Sequence, residues 1–229
     1  MRKALVAIAV LALAGCAGGN KKAAKPVTVS DSDYGRLTPA QTAPVDQART
    51  ALGQARDEFA RAKLRQTESA QAAALAQADM GVAAAEAQRA EARMKMAQES
   101  ADPNQLAQAR TMSDSARLRQ ATAQARVDYA QKIQAARAAE VATAEKRVAL
   151  AEAEVERSKL QALLQAQVPA ATKYDPAKLD ARVATAQQEY SQASATSQAA
   201  LNDAINAEAH WRELERQLQA RAAPPAPRG

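Results

Sequence analysis

The chain of 229 residues holds one cysteine, Cys16, and one histidine, His210. These two types carry most of the nucleophilic, metal-binding and proton-transfer chemistry that side chains offer near neutral pH. A Ser-His-Asp or Cys-His site would have to be built around His210. That residue stands next to Trp211 and close to Glu208 and Glu213 in a helical pattern, so an exposed helical histidine is expected. Trp211 falls on an apolar row and is expected to plug a core. Zinc requires clustered Cys or His ligands, and the sequence has no such cluster. Glu152, Glu154 and Glu156 point to different faces of a helix and lie among bases, which reads as solvated charge and not as an acid/base pair. Most of the seven glycines fall in the first 35 residues, and none builds a phosphate loop. No metal, no cofactor and no catalytic residues are expected, and the chain reads as not an enzyme. The remaining reactive group is the Cys16 thiol, and its surroundings decide what it does.

Cys16 ends a three-part leader. Arg2 and Lys3 form a positive start, residues 4–14 ("ALVAIAVLALA") are apolar, and small residues follow. This is the layout of a secretory signal peptide over residues 1–15. A run of about 11 residues falls short of the roughly 20 needed to span a hydrocarbon core. Leu13-Ala14-Gly15-Cys16 is a branched apolar residue, two small residues and a cysteine. It resembles the lipobox of bacterial lipoproteins. The resemblance implies cleavage between Gly15 and Cys16, a diacylglycerol thioether on the Cys16 sulfur, and an acylated (palmitate-type) new amino terminus. Two or more chains give stable anchoring where one holds only marginally. In Gram-negative members an Asp after the cysteine tends to retain the protein in the inner membrane. Ala17 stands there instead, which implies the outer membrane, facing the periplasm.

The elements behind this anchor follow from composition. Hydrophobic residues make up 47% of the chain, but 64 of them are alanines and aromatics are 3%. Alanine favours helix and buries little area, so the chain suits long helices better than a thick globular core. The formal charge is +6; without Arg2 and Lys3, 29 basic residues stand against 25 acidic ones, and the signs are interleaved. No basic block with aromatics is present, so nucleic acid is not an expected partner. Residues 16–43 read as the lipidated cysteine and a flexible tether, with Lys21, Lys22 and Lys25 able to meet anionic head groups or simply to solvate it. Thr38-Pro39-Ala40-Gln41 has the form of a capping box, so a short helix is expected to begin there before Pro44.

Asp102-Pro103 and Asp175-Pro176 mark two more helix starts, because Asp caps well and Pro suits the first helical position. The spacing predicts helices over about 44–100, 103–167 and 176–221 within a helical domain of residues 44–221, followed by a proline-rich tail over 222–229. Heptad rows run through each helix. Val45, Leu52 and Phe59 open one row beside the small residues Ala48, Ala55 and Ala62; Val127, Val141 and Val155 share another; Leu179, Ala186 and Leu214 a third. Sustained sevens specify a left-handed supercoil, and alanine rows let backbones come close. Gln66, Gln134 and Arg137 interrupt the rows, either to fix register or as tolerated at weak positions. The expected fold is all-α: a long antiparallel helical hairpin or a three-helix up-down-up coiled coil, with disordered termini. The first two helices would be about 85–100 Å long and the third about 70 Å. The alternative is one helix kinked at Pro103 that pairs with another chain.

The composition of the rod also loosely resembles murein-type and other helical envelope lipoproteins. It differs from the murein lipoprotein in length and lacks its terminal lysine. The resemblance implies a non-enzymatic cell-envelope lipoprotein acting as a periplasmic helical spacer or scaffold. The alternative is an adaptor or accessory subunit of an outer-membrane channel or a secretion/efflux complex, although the β domains that flank efflux-adaptor hairpins are not found. Expected partners are membrane lipid through Cys16, an envelope protein complex or peptidoglycan, and a further copy of the chain by coiled coil.

Overall fold

A computed structural model describes residues 28–35 and 37–222. The leader, Leu13, Ala14, Gly15 and Cys16, most of the tether, and the tail after residue 222 lie outside the described residues. The elements are α1 (Asp31–Tyr34), α2 (Pro39–Ser100), α3 (Pro103–Gln165), a 3₁₀ turn (Pro169–Lys173) and α4 (Pro176–Ala222). The three long helices pack up-down-up: α2 lies along α3 and α3 along α4, with no seam of comparable extent between α2 and α4. The chain is thus an all-α ribbon with α3 in the middle.

Each reversal is built by local chemistry. Ala101 takes a left-handed conformation at φ 55° and ends α2. The Asp102 carboxylate then accepts the Asn104 N–H at 2.8 Å and Pro103 opens α3. At the other end Gln167 is left-handed at φ 53°, and the Val168 N–H returns to the Leu163 carbonyl at 3.0 Å before Pro169. Asp175 caps α4 by accepting the Ala177 N–H at 3.0 Å. The turn at Ala101 folds the chain on itself, which decides against a single kinked helix.

The seam between α2 and α3 is thin. Ala55, Ala62, Ala76, Ala83, Ala90 and Ala97 are buried on α2, facing a row on α3 that includes Ala116, Val127, Ala130 and Ala151. Polar rungs cross one flank of this seam: Glu58–Arg147, Arg65–Glu140, Asp79–Arg126, Glu86–Arg119 and Ser100–Gln105. From rung to rung, α2 advances by seven or fourteen residues while α3 retreats by the same amount, as an antiparallel heptad pair requires. α4 returns along the other side of α3 through Lys146–Glu189, Lys132–Asp203 and a stack of Tyr129 on Trp211. At 1.5 Å per residue α2 and α3 span about 95 Å and α4 about 70 Å, so the α2–α3 turn extends beyond the end of α4.

Large apolar side chains concentrate at the opposite end, here called the base. Val29, Leu160, Leu163, Ala171 and Leu179 form one buried cluster with Leu37, Val168 and Tyr174 against it. Tyr34, Val45 and Ala162 form a second one next to it.

Several expectations are corrected. Residues 28–35 and 37–43 are not free tether: the first stretch and Leu37 pack on the base, and α2 takes up the rest from Pro39. α2 begins at Pro39, and Pro44 lies inside it. The capping box starts the helix, with the Gln41 Oε1 accepting the Thr38 N–H at 2.9 Å. So close to the helix start, proline removes only one backbone bond, to the Ala40 carbonyl. α3 and α4 keep their expected extents to within two residues, ending at Gln165 and Ala222. Trp211 is half-buried and stacks flat on Tyr129, so it does not plug a core. Of the row interruptions, Gln134 is exposed and Arg137 pairs with Glu140 at 2.8 Å on its own helix, as tolerated positions would.

Candidate functional site

The described chain enters at Thr28, twelve residues after Cys16, and is fastened to the base at once. Extended backbone covers at most about 3.6 Å per residue, so the Cys16 Cα lies within about 43 Å of Thr28. Whatever holds Cys16 therefore holds the base end of the rod near it.

The fastening is a polar clasp over the apolar cluster. The Val29 side chain is buried while its N–H donates to the Glu156 Oε2 at 2.6 Å. Ser30 caps α1, its side chain accepting from the Ser32 N–H. The Ser30 N–H donates to the Tyr174 hydroxyl at 2.9 Å, and that hydroxyl donates to the Asp33 Oδ2 at 2.9 Å. Lys159 is buried on α3 and reaches both Asp31 and Glu156 at 3.0 Å. Lys173 approaches Asp33 at 3.4 Å. Arg49 lies over the Tyr34 ring, 5.2 Å from its centroid. α3 and the 3₁₀ turn, more than 100 residues away, and α2, which follows directly, thus grip residues 29–34.

The electrostatics follow the geometry. The hydrogen bond and charge of Lys159 hold the Asp31 carboxyl below its ordinary pKa. Burial works against the charge on Lys159, but its hydrogen bonds to Asp31 and Glu156 outweigh this and raise its pKa. On the seam, burial likewise opposes ionisation of Glu140, and the hydrogen bonds from Arg65 and Arg137 overcome it to lower the pKa.

Of the residues singled out from sequence, His210 is exposed on α4, next to the half-buried Trp211. Glu152 pairs with Arg56 across the α2–α3 seam at 3.1 Å. Glu156 departs from expectation: its side chain is 13% exposed and is part of the clasp. No candidate catalytic pair is brought together by these positions. Among the described residues no group of three His, Cys, Asp or Glu is placed to hold a metal. Within the same residues no helix is long and apolar enough to cross a membrane. Sequence reasoning missed Val29, Asp31, Asp33, Tyr34, Lys159, Lys173 and Tyr174. The usable signal was Ser30-Asp31-Ser32-Asp33, a cap followed by acids suited to a helix start.

A second feature stands near the tip. The next rung after Glu86–Arg119 sets Arg93 against Met112, with Nη1 3.9 Å from the sulfur. Arg89, Arg93, Thr111, Met112, Ser115 and Arg119 line an open groove there. Searches of protein-family models, curated proteins and solved structures found no match to this chain.

Proposed function

We propose that this chain is a non-enzymatic cell-envelope lipoprotein, anchored through acylated Cys16 in the outer membrane and facing the periplasm, and that it acts as a helical spacer or scaffold. The observation that carries this reading is the clasp. A motif resembling a lipobox stands twelve residues before a segment locked to the base of a rod about 95 Å long. A tether short relative to the rod, ending in a fixed joint, transmits a membrane position to the far tip. A freely jointed chain would not. Cys16→Ala should abolish incorporation of labelled fatty acid and release the protein from the membrane fraction; retained lipid label would refute the anchor. X-ray scattering from the solubilised chain should give the cross-section and length of a rod, and a compact particle would refute the spacer.

A second reading, an adaptor for an outer-membrane channel or secretion complex, draws on the tip. There the α2–α3 hairpin outruns α4 and presents Arg93 without a carboxylate opposite it. Cross-linking from the tip in intact envelopes would return a channel protein under this reading and not under the first.

A further inference from the structure

α3 carries two heptad faces. One meets α2; the other, which includes Thr122, Tyr129, Ala136 and Leu150, is covered by α4. α2 also has two. Its first face meets α3. Its second runs along Leu64, Leu75, Val82 and Met96, each 61–65% exposed, with Ala78 between them. These positions recur in steps of three, four and their sums, the spacing of a helix-pairing seam. Four bare large apolar side chains on one stripe of a chain that otherwise buries alanine call for a partner.

We infer that this second face of α2 pairs antiparallel with the same face of a second copy of the chain, about a twofold axis near Ala78. The charges choose the partner and the direction. Glu68 and Arg89 lie on the same stripe, ten residues before Ala78 and eleven after it, and neither has an ionic or hydrogen-bonding partner in its own chain among the described residues. A twofold axis at Ala78 places Glu68 beside the second copy's Arg89, twice, and Leu75 beside the second copy's Val82, twice. Parallel pairing in register would oppose Glu68 to Glu68 and Arg89 to Arg89. A staggered parallel arrangement is heterologous and does not close, so it would polymerise. The overlap from residue 61 to residue 96 is about 54 Å long, five heptads. Asp57 and Glu99 oppose one another at its two ends, within a turn of Arg61 and Lys95, and limit the overlap there. The two bases then lie at opposite ends, about 117 Å apart from Pro39 to Pro39. The N-terminal segments therefore leave the pair in opposite directions. The pairing depends on α2 alone and does not rest on the anchor; two chains anchored through Cys16 in one membrane and paired this way lie along it, so the pair and the upright spacer are alternative arrangements of the chain.

The test is sedimentation equilibrium of the full chain carrying Cys16→Ser, which removes thiol coupling through that residue. A concentration-dependent mass of two chains is expected. Glu68→Arg or Arg89→Glu alone turns two attractive contacts repulsive and should weaken association roughly tenfold or more, while the double reversal should return it to within about threefold of the parent. All four sites are exposed, so the helicity of the single chain and its melting at concentrations below association should not change. Oxidation of a mixture of Leu75→Cys and Val82→Cys chains should give a covalent dimer that neither variant gives alone. A single-chain mass throughout, single reversals without effect, failed rescue by the double reversal, or Leu75→Cys cross-linking to itself would each overturn the inference.

Discussion

Replacing Lys159 by Met keeps the buried stem of the side chain and removes its charge, so it isolates the polar work of the clasp. Two contacts disappear, to Asp31 and to Glu156, each at 3.0 Å. The Asp31 side chain is 78% exposed, so its loss is screened and costs no more than about 1 kcal/mol. The loss at Glu156 weighs more. Its side chain is 13% exposed, and without Lys159 its remaining donor in the clasp is the Val29 N–H. Leaving such a carboxylate short of a partner costs about 1–3 kcal/mol. The sum is about 1–4 kcal/mol, spent on local opening of residues 28–35 because the long seams do not pass through this contact. Hydrogen exchange reads it directly. The Val29 and Ser30 amides should exchange roughly 5- to 900-fold faster, at about 1.36 kcal/mol per factor of ten, while amides near the tip stay unchanged. Exchange within threefold of the parent would show that the clasp does not hold the entering chain. Equal acceleration at the tip would show that Lys159 supports the whole rod.

Ala101→Gly should stabilise the hairpin by about 0.5–1 kcal/mol in a thermal melt, because the left-handed turn strains a side chain that glycine lacks. Met112→Glu gives Arg93 its missing carboxylate and should add about 0.2–1 kcal/mol at low salt, a gain that fades when the melt is repeated at about 1 M salt. Tyr34→Phe should leave stability equal or up to about 1 kcal/mol higher, since the Tyr34 hydroxyl is buried without a hydrogen bond among the described residues; Tyr174→Phe, which loses bonds to Ser30 and Asp33, should destabilise in the same assay. Asp31 and Glu140 titrate lower when folded, so their contribution is present above about pH 4–4.5 and is lost as pH falls through the depressed values; Lys159 titrates higher, so its share is complete below about pH 10.4 and is lost above it. Melting temperature against pH should form a plateau that falls on both sides, and a continued rise below pH 4 would contradict the sign.

The parts of the fold legible in sequence are those set by neighbours in the chain. Asp102-Pro103 and Asp175-Pro176 mark helix starts because the capping carboxylate and the N–H that donates to it sit two residues apart. The alanine rows are legible because a heptad repeats locally. The base was not legible. Val29 and Tyr34 are two large residues among serines and aspartates, and they show no period. The partners of Val29, namely Glu156, Leu163 and Tyr174, are more than 100 residues away, and so is Ala162 beside Tyr34. Pro44 misled for a related reason. A proline near a helix start and a proline between helices look alike until the cap at Thr38 is seen to close.

An alanine seam raises a problem that the rungs solve. Alanine at every seventh position fits equally well after a slip of one heptad, so shape alone leaves several registers nearly equal. The flanking row of α2 reads Glu58, Arg65, Ala72, Asp79, Glu86, Arg93, and that of α3 reads Arg147, Glu140, Ile133, Arg126, Arg119, Met112. In the observed register four opposite-charge pairs form along this flank and no like pair does. Slide α2 one heptad in one direction and Glu58 meets Glu140, with only Asp79–Arg119 kept attractive. Slide it in the other direction and Glu58 meets Glu154, Arg65 meets Arg147, Arg93 meets Arg119, and only Glu86–Arg126 attracts. Each exposed pair is worth about 0.2–1 kcal/mol, so a net loss of three attractions and a gain of one or three repulsions disfavours either slip by about 1–6 kcal/mol. That gap is small for any single rung and decisive over the row. The rod is held in length by alanine, in register by charge, and at its base by the few large side chains the sequence contains.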